Sequence, residues 1–165
     1  MIRFPLIAAL CLFSLPALAD GRADWRDYAW QKFDIAKCLP VGSELACPFY
    51  HQKWDWKRTQ WVDIAIMLDP ASGKLSLTQQ LTNNDKRDED HVCVTALLLD
   101  GAGRTLLAHH QNWDIVAGQL LTKSFVYTSP RLAEAQSIHI GSKQCREGEG
   151  QDDAVYARVL AALLR

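Results

Sequence analysis

The chain has 165 residues, 48% of them hydrophobic, with 18 basic residues against 19 acidic ones and a formal net charge of −1. A chain of this length can bury the core of one domain but is short for two. The near-neutral balance argues against nucleic acid as a partner, because phosphate binding requires an excess of clustered basic side chains.

The N-terminus has the pattern of a cleaved secretory signal peptide. Arg3 precedes the apolar run Phe4–Leu18, and the small-x-small tripeptide that ends at Ala19 is one that a signal peptidase accepts. The run is shorter than the roughly 20 residues that a membrane span needs, and no other segment approaches that length. We therefore expect residues 1–19 to be removed, and residues 20–165 to reach the periplasm or the medium as one domain without a membrane span.

Four cysteines follow the signal peptide, and an even number favours two disulfides in an oxidising compartment. Four cysteines allow three connectivities. We expect Cys38 to pair with Cys47 across a short loop with proline and glycine, and Cys93 to pair with Cys145, which would tie an inner strand to the segment after the last strand. A zinc site is the alternative, but the sequence contains no CxxC pair.

The segment from Trp25 to Trp61 is rich in aromatic residues and is predicted to be an N-terminal extension of the domain. Trp54 and Trp56 alternate with charged residues there, so a strand would place both rings on one face. Such rings either pack in the core or form an exposed platform that stacks on sugars or grips a partner protein. Trp54 and Trp56 are therefore candidate binding residues. The start of the segment, Asp24–Ala36, is compatible with a helix or with a strand.

The middle of the chain alternates short apolar runs with turn signals. In Val62–Leu68 the apolar residues recur with the period of a half-buried strand, and a turn with Pro and Gly leads to a second strand that extends to Thr82. Val92–Leu99 is apolar on both faces, as in a central strand, and an Asp-Gly turn folds the chain back into a hairpin. Two more strands are predicted at Leu120–Thr128 and Ser137–Gly141.

Short strands spaced by turns favour an antiparallel β-sandwich over alternating strands and helices. The runs Leu81–Asn83 and Val92–Arg104, followed by Ala117–Gln119 before a strand that contains Phe125, resemble the Ig-like extracytoplasmic modules of the FxLyD type. Leu99 stands where those modules have a tyrosine. The resemblance implies a binding or structural module of the cell envelope that has no catalytic site.

The end of the chain predicts an α-helix. Asp152 and Asp153 can cap its N-terminus, and apolar residues follow at i, i+3 and i+4 spacing. The helix would pack on the sandwich or bind a partner. We therefore expect a mostly β fold: an Ig-like antiparallel β-sandwich with an aromatic-rich N-terminal extension and a C-terminal α-helix.

The sequence contains no recognisable set of catalytic or metal-binding residues. The Gly-x-Ser-x-Gly motif is absent, and no serine or cysteine lies in a known nucleophile context. His109 and His110 would point to opposite faces of one strand and cannot bind the same metal from it. We therefore expect no enzyme activity, no metal and no cofactor, with a hydrolase of unrecognised type as the remaining alternative.

The loop Asn83–His91 is the second candidate binding element, because it carries a local excess of acidic residues. These candidate residues are Asp85, Asp88, Glu89 and Asp90. They could steer a basic partner to the protein, or the loop could be a solvated hairpin connection that hinders pairing at a sheet edge. The sequence predicts a non-enzymatic binding module for another envelope protein, as an inhibitor, an immunity protein or an assembly factor. Cell-wall glycan binding through the tryptophans is the alternative.

Overall fold

A computed structural model describes residues 28–53 and 59–145 of the protein, together with residue 157. These ranges form ten β-strands, and two short 3₁₀ turns lie at Ile35–Lys37 and Pro130–Glu134. The described part of the chain is mostly β, as predicted. The strands are β1 (Ala29–Asp34), β2 (Leu39–Val41), β3 (Glu44–Ala46), β4 (Tyr50–Lys53), β5 (Gln60–Asp69), β6 (Lys74–Asn83), β7 (Asp90–Leu99), β8 (Thr105–Ile115), β9 (Leu120–Thr128) and β10 (Ser137–Gln144).

The strands form two antiparallel sheets that pack face to face. Sheet 1 has the order β1-β10-β7-β8, and sheet 2 has the order β2-β3-β5-β6-β9. In sheet 2, β3 and β4 share one edge of β5, with Leu45 opposite Leu68 and Tyr50 opposite Ile64. The other edge of β5 pairs with β6 along ten residue pairs, and this long hairpin forms the centre of the sheet.

The core lies between the sheets and follows the predicted two-residue period. Val62, Ile64, Ile66 and Leu68 of β5 are at most 1% exposed. Strand β7 is buried on both faces between β10 and β8, which confirms the prediction of a central strand. Gln79 of β6 also points inward and is fully buried, so the core contains a polar side chain that needs a partner.

Residues 29–53, which we predicted to form an extension, instead supply strands to both sheets. Strand β1 pairs with β10, and β4 pairs with β5. Tyr50 of β4 is fully buried, and its hydroxyl bonds to the Ala29 carbonyl and to Ser142 Oγ, each at 2.8 Å. Burial raises the pKa of Tyr50 to about 12. The sequence pattern missed this role because the strands here have only three to six residues, too few to show a clear period.

Both predicted disulfides are present. Cys38 and Cys47 lie on either side of the β2–β3 hairpin, with a Cα–Cα distance of 4.0 Å. Cys93 of β7 is joined to Cys145, the residue after β10, with a Cα–Cα distance of 5.8 Å. The second bridge therefore reinforces an existing pair of neighbouring strands. In the described ranges, no helix is long and apolar enough to cross a membrane.

Three predictions fall outside the described residues. They concern the signal peptide at residues 1–19, the tryptophans Trp54 and Trp56, and the C-terminal helix. Of that helix only Ala157 is described, in helical conformation and exposed. All three therefore stay predictions.

Candidate functional site

The acidic loop lies at the end of the sandwich where β6 finishes and β7 begins. Strand β6 belongs to sheet 2 and β7 to sheet 1, so the loop crosses between the sheets. Our prediction of a hairpin connection was wrong, because Asn83 at the end of β6 pairs with Gln60 of β5, while Asp90 at the start of β7 pairs with Ile115 of β8.

The residues that flank the tryptophan segment lie at the same end of the sandwich. Residues 54–58 connect Lys53, the last residue of β4, to Thr59. The Thr59 carbonyl accepts a hydrogen bond of 2.9 Å from the backbone N–H of Asn84 in the acidic loop. Thr59, which follows the tryptophan segment, therefore lies beside the acidic loop.

The turn between β8 and β9 reaches this end too. The backbone N–H of Asn83 donates to the Gln119 carbonyl at 2.8 Å, and Gly118 gives the turn its positive φ of 72°. We call the acidic loop and the turn 116–119 together the loop end of the sandwich.

A buried network of amide side chains holds the loop end in place. Gln60 Nε2 donates to Asn83 Oδ1 at 3.1 Å, and Gln144 Nε2 donates to Gln60 Oε1 at 3.2 Å. Asn83 Nδ2 in turn donates to the Asp88 carbonyl at 2.8 Å. Breaking such bonds leaves buried polar groups without partners, so the network fixes the loop on strands of both sheets.

The four predicted acidic residues have different roles in the loop. Asp85 is half-buried, and its Oδ1 accepts backbone hydrogen bonds from Arg87 at 2.9 Å and Asp88 at 3.1 Å, so it shapes the loop. Asp90 is half-buried as the first residue of β7. Asp88 and Glu89 are exposed. The last two are therefore the solvent-exposed carboxylates of the loop.

Sequence reasoning missed three residues of this surface. Asp114 is 78% exposed, and its carboxylate bonds to Nδ1 of the buried His91. Val116 and Leu120 flank the β8–β9 turn and are 51% and 61% exposed. Their position beside Gly118 could have indicated them in the sequence, because large apolar residues next to a turn glycine lie at the end of a strand. This surface therefore carries exposed apolar side chains as well as carboxylates.

A second polar cluster joins side chains of β6, β8 and β9 in the core. Gln79 Nε2 lies 2.6 Å from His109 Nε2, and the other imidazole nitrogen of His109 bonds to the Tyr127 hydroxyl. Burial, with a smaller effect from His110, lowers the pKa of His109 to about 4. The imidazole is therefore neutral at pH 7, so it accepts from the Gln79 amide and donates to Tyr127. This pairing gives the Gln79 amide nitrogen and both imidazole nitrogens of His109 a partner in the core.

The histidines are not arranged as metal ligands. His109 points into the core, whereas His110 points outward and bonds to Thr95 Oγ1 at 2.9 Å, which confirms that the two face opposite ways. Within residues 28–53 and 59–145, no three His, Cys, Asp or Glu side chains form a group that could hold a metal ion.

Comparisons with known proteins add little to this geometry. No family model and no curated protein matches the chain. The crystal structure of a DUF1425 family member from Shewanella sp. pv-4 is 9% identical, with a TM-score of 0.37 over 67% of this chain and 98% of that one. The enzymatically active domain of bacteriophage CBA120 tailspike protein 4 is 11% identical, with a TM-score of 0.27 over 76% of this chain and 18% of that one. Neither likeness carries an argument about function.

Proposed function

We propose that this protein is a non-enzymatic binding module of the cell envelope that recognises a basic surface of another envelope protein through its loop end. The observation that carries the proposal is that the acidic loop and the β8–β9 turn meet at one end of the sandwich, beside Thr59, which follows the tryptophan segment in the chain. Loops held by a β-sandwich are a common place for binding groups, because they vary without disturbing the strands.

The side chains of the loop end suit this role. Val116 and Leu120 offer apolar surface that gains free energy when a partner buries it. The exposed carboxylates of Asp88, Glu89 and Asp114 belong to the same end of the sandwich and would attract basic side chains over a distance of about 10 Å at moderate salt. An inhibitor, an immunity protein and an assembly factor would all use such a surface.

Several observations support a location in the periplasm or outside the cell. Two disulfides are expected in an oxidising compartment and are rare in the cytosol. The signal-peptide pattern of residues 1–19 and the resemblance to FxLyD-type modules agree with this location.

Neutralising the exposed carboxylates tests the electrostatic part of the proposal. The triple variant Asp88→Asn, Glu89→Gln, Asp114→Asn should slow association with the partner by about tenfold at low salt, and by much less at high salt. Asp85 is left unchanged because it shapes the loop. Association rates are measured against a partner recovered from the native envelope by cross-linking, at several salt concentrations.

The matched control removes the same number of charges elsewhere, with Asp34→Asn, Glu44→Gln and Glu134→Gln. It should associate at the wild-type rate, and both triple variants should melt within a few degrees of the wild type. Wild-type association by the loop-end variant, or equal slowing by the control, contradicts the proposal.

Replacing the exposed apolar residues tests the second part of the proposal, the apolar contact with the partner. Val116→Ser with Leu120→Ser should leave association nearly unchanged but raise the dissociation rate at least about tenfold, since apolar contacts form after the encounter. Surface plasmon resonance separates the two rates. Val126→Ser, which alters an equally exposed residue of β9, is the control and should dissociate at the wild-type rate.

A further inference from the structure

A row of polar side chains crosses the outer face of sheet 2. It contains one residue from each of four adjacent strands: His51 of β4, Asp63 of β5, Gln80 of β6 and Thr122 of β9, each opposite the next in the strand register. His51 Nδ1 lies 2.6 Å from Asp63 Oδ1, and Gln80 Nε2 donates to Thr122 Oγ1 at 3.2 Å. We call these four residues the polar row. Cross-strand bonds of this kind hold the side chains in place before any ligand arrives.

The side chains on the two sides of the polar row differ in chemistry. On one side Trp61 lies two residues from Asp63 along β5, or about 7 Å away, and is half-exposed. The exposed Lys53 places its Nζ 5.7 Å from the Trp61 ring centroid, where a ligand can displace it. On the other side Thr78 and Ser124 bond to each other through their hydroxyls at 3.0 Å. The face therefore combines an aromatic ring with a flat field of hydroxyl, amide and carboxylate groups.

This combination matches the chemistry of a sugar ring. A pyranose has an apolar face of C–H groups, which packs on an aromatic ring, and hydroxyls that both donate and accept hydrogen bonds. Asp63 can accept from such hydroxyls, while Gln80 and Thr122 can accept and donate. The open sheet face has no end wall among the described strands, so a long chain can lie across it.

The charge of the face selects an uncharged ligand. Asp63 would repel a polyanion. Lys53, which borders Trp61, would repel a polycation. A polycation would meet a carboxylate that is already bonded to His51. The central positions carry hydroxyl and amide groups, which complement a neutral polyol.

We propose that the outer face of sheet 2 is a binding site for an uncharged polysaccharide, in which the ring of Trp61 stacks on one sugar and Asp63, Gln80 and Thr122 bind hydroxyls of neighbouring sugars along the chain. This site is separate from the loop end and uses none of its carboxylates. It differs from the glycan platform expected from the sequence, which rested on Trp54 and Trp56.

Binding of neutral hexasaccharides tests the site. Titration of the full-length exported protein with the β-1,4-linked hexamers of N-acetylglucosamine and of glucose, followed by calorimetry, should show binding of at least one of them. Trp61→Ala and Gln80→Leu should each weaken that binding at least about tenfold. Gln80→Leu is the variant that keeps the test valid if loss of the half-buried Trp61 ring impairs folding. Met67→Ala, on the same face but away from Trp61, should bind as the wild type does.

Three outcomes overturn the proposal. The first is no binding of either hexamer by the wild-type protein at millimolar concentration. The second is binding that survives both Trp61→Ala and Gln80→Leu. The third is tighter binding of an anionic polymer, such as polygalacturonate, than of either neutral hexamer. The loop-end variant Asp88→Asn, Glu89→Gln, Asp114→Asn should bind the hexamers as the wild type does, so failure of the proposed partner binding and failure of this site are distinguishable.

Discussion

Replacing Cys93 and Cys145 together by alanine is expected to lower the free energy of unfolding by about 4 kcal/mol. The two cysteines are 52 residues apart, so the bridge removes much of the chain entropy of the unfolded state. Alanine is the suitable replacement because both positions are buried, and a serine hydroxyl would there need a new partner. Chemical denaturation with a fluorescence readout measures the loss.

Removing the other bridge is the matched comparison. Cys38 and Cys47 are only 9 residues apart, so their replacement by alanine should cost about 3 kcal/mol, less than the loss of the longer bridge. A peptide map of the intact protein should recover both pairs. An equal or larger loss from the shorter bridge would show that packing, rather than chain entropy, dominates.

Acidification is expected to destabilise the protein through His109 by about 3 kcal/mol between pH 7 and pH 4. The pKa of His109 is about 4 in the folded protein, against 6.5 for an ordinary histidine. Below pH 6.5 the unfolded chain therefore binds a proton that the folded chain rejects. The stabilisation is complete above pH 6.5 and is lost as the pH falls towards 4. Burial also lowers the pKa of His139, which adds a change of the same sign.

The variant His109→Gln isolates the contribution of this one group. Its amide can still bond to Gln79 or Tyr127 but does not titrate, so its stability should fall less steeply with acid. The difference in unfolding free energy between wild type and variant, measured by urea denaturation at pH 7, 5.5 and 4, should shrink by about 3 kcal/mol. All other titrating groups are common to both proteins and cancel. Parallel pH profiles would exclude His109 as the cause.

The longer strands could be predicted from the sequence because their side chains alternate over many residues. Strand β9 has the predicted bounds, Leu120–Thr128, and β5 and β6 differ from prediction by at most two residues at an end. Strands β2 and β3 have three residues each, which is too short for alternation to be visible. The partners of the buried Gln79 were equally hidden, since His109 is 30 residues away and nothing local indicates the pair.

The candidate site was predictable in its parts but not in its assembly. The acidic residues of Asn83–His91 are evident in the sequence, and so are Trp54 and Trp56. That the acidic loop lies beside Thr59, the residue after the tryptophan segment, depends on the β5–β6 register, in which Gln60 faces Asn83. The crossing between sheets was missed because consecutive strands usually pair, whereas β6 and β7 do not. The polar row depends on the same register, since it places one residue from each of four strands in line.

The order of strands in sheet 1 has a consequence for when the protein can fold. Strand β10 lies between β1 and β7, so β1, the first of the described strands, can pair only after β10, the last of them, has been made. Contacts between such distant parts of a chain form slowly, because a long loop must close before they are made. A nascent chain that lacks β10 has no complete sheet 1 and no Cys145 for its second bridge. Sheet 1 and its disulfide therefore form only after the C-terminal part of the described chain has been made.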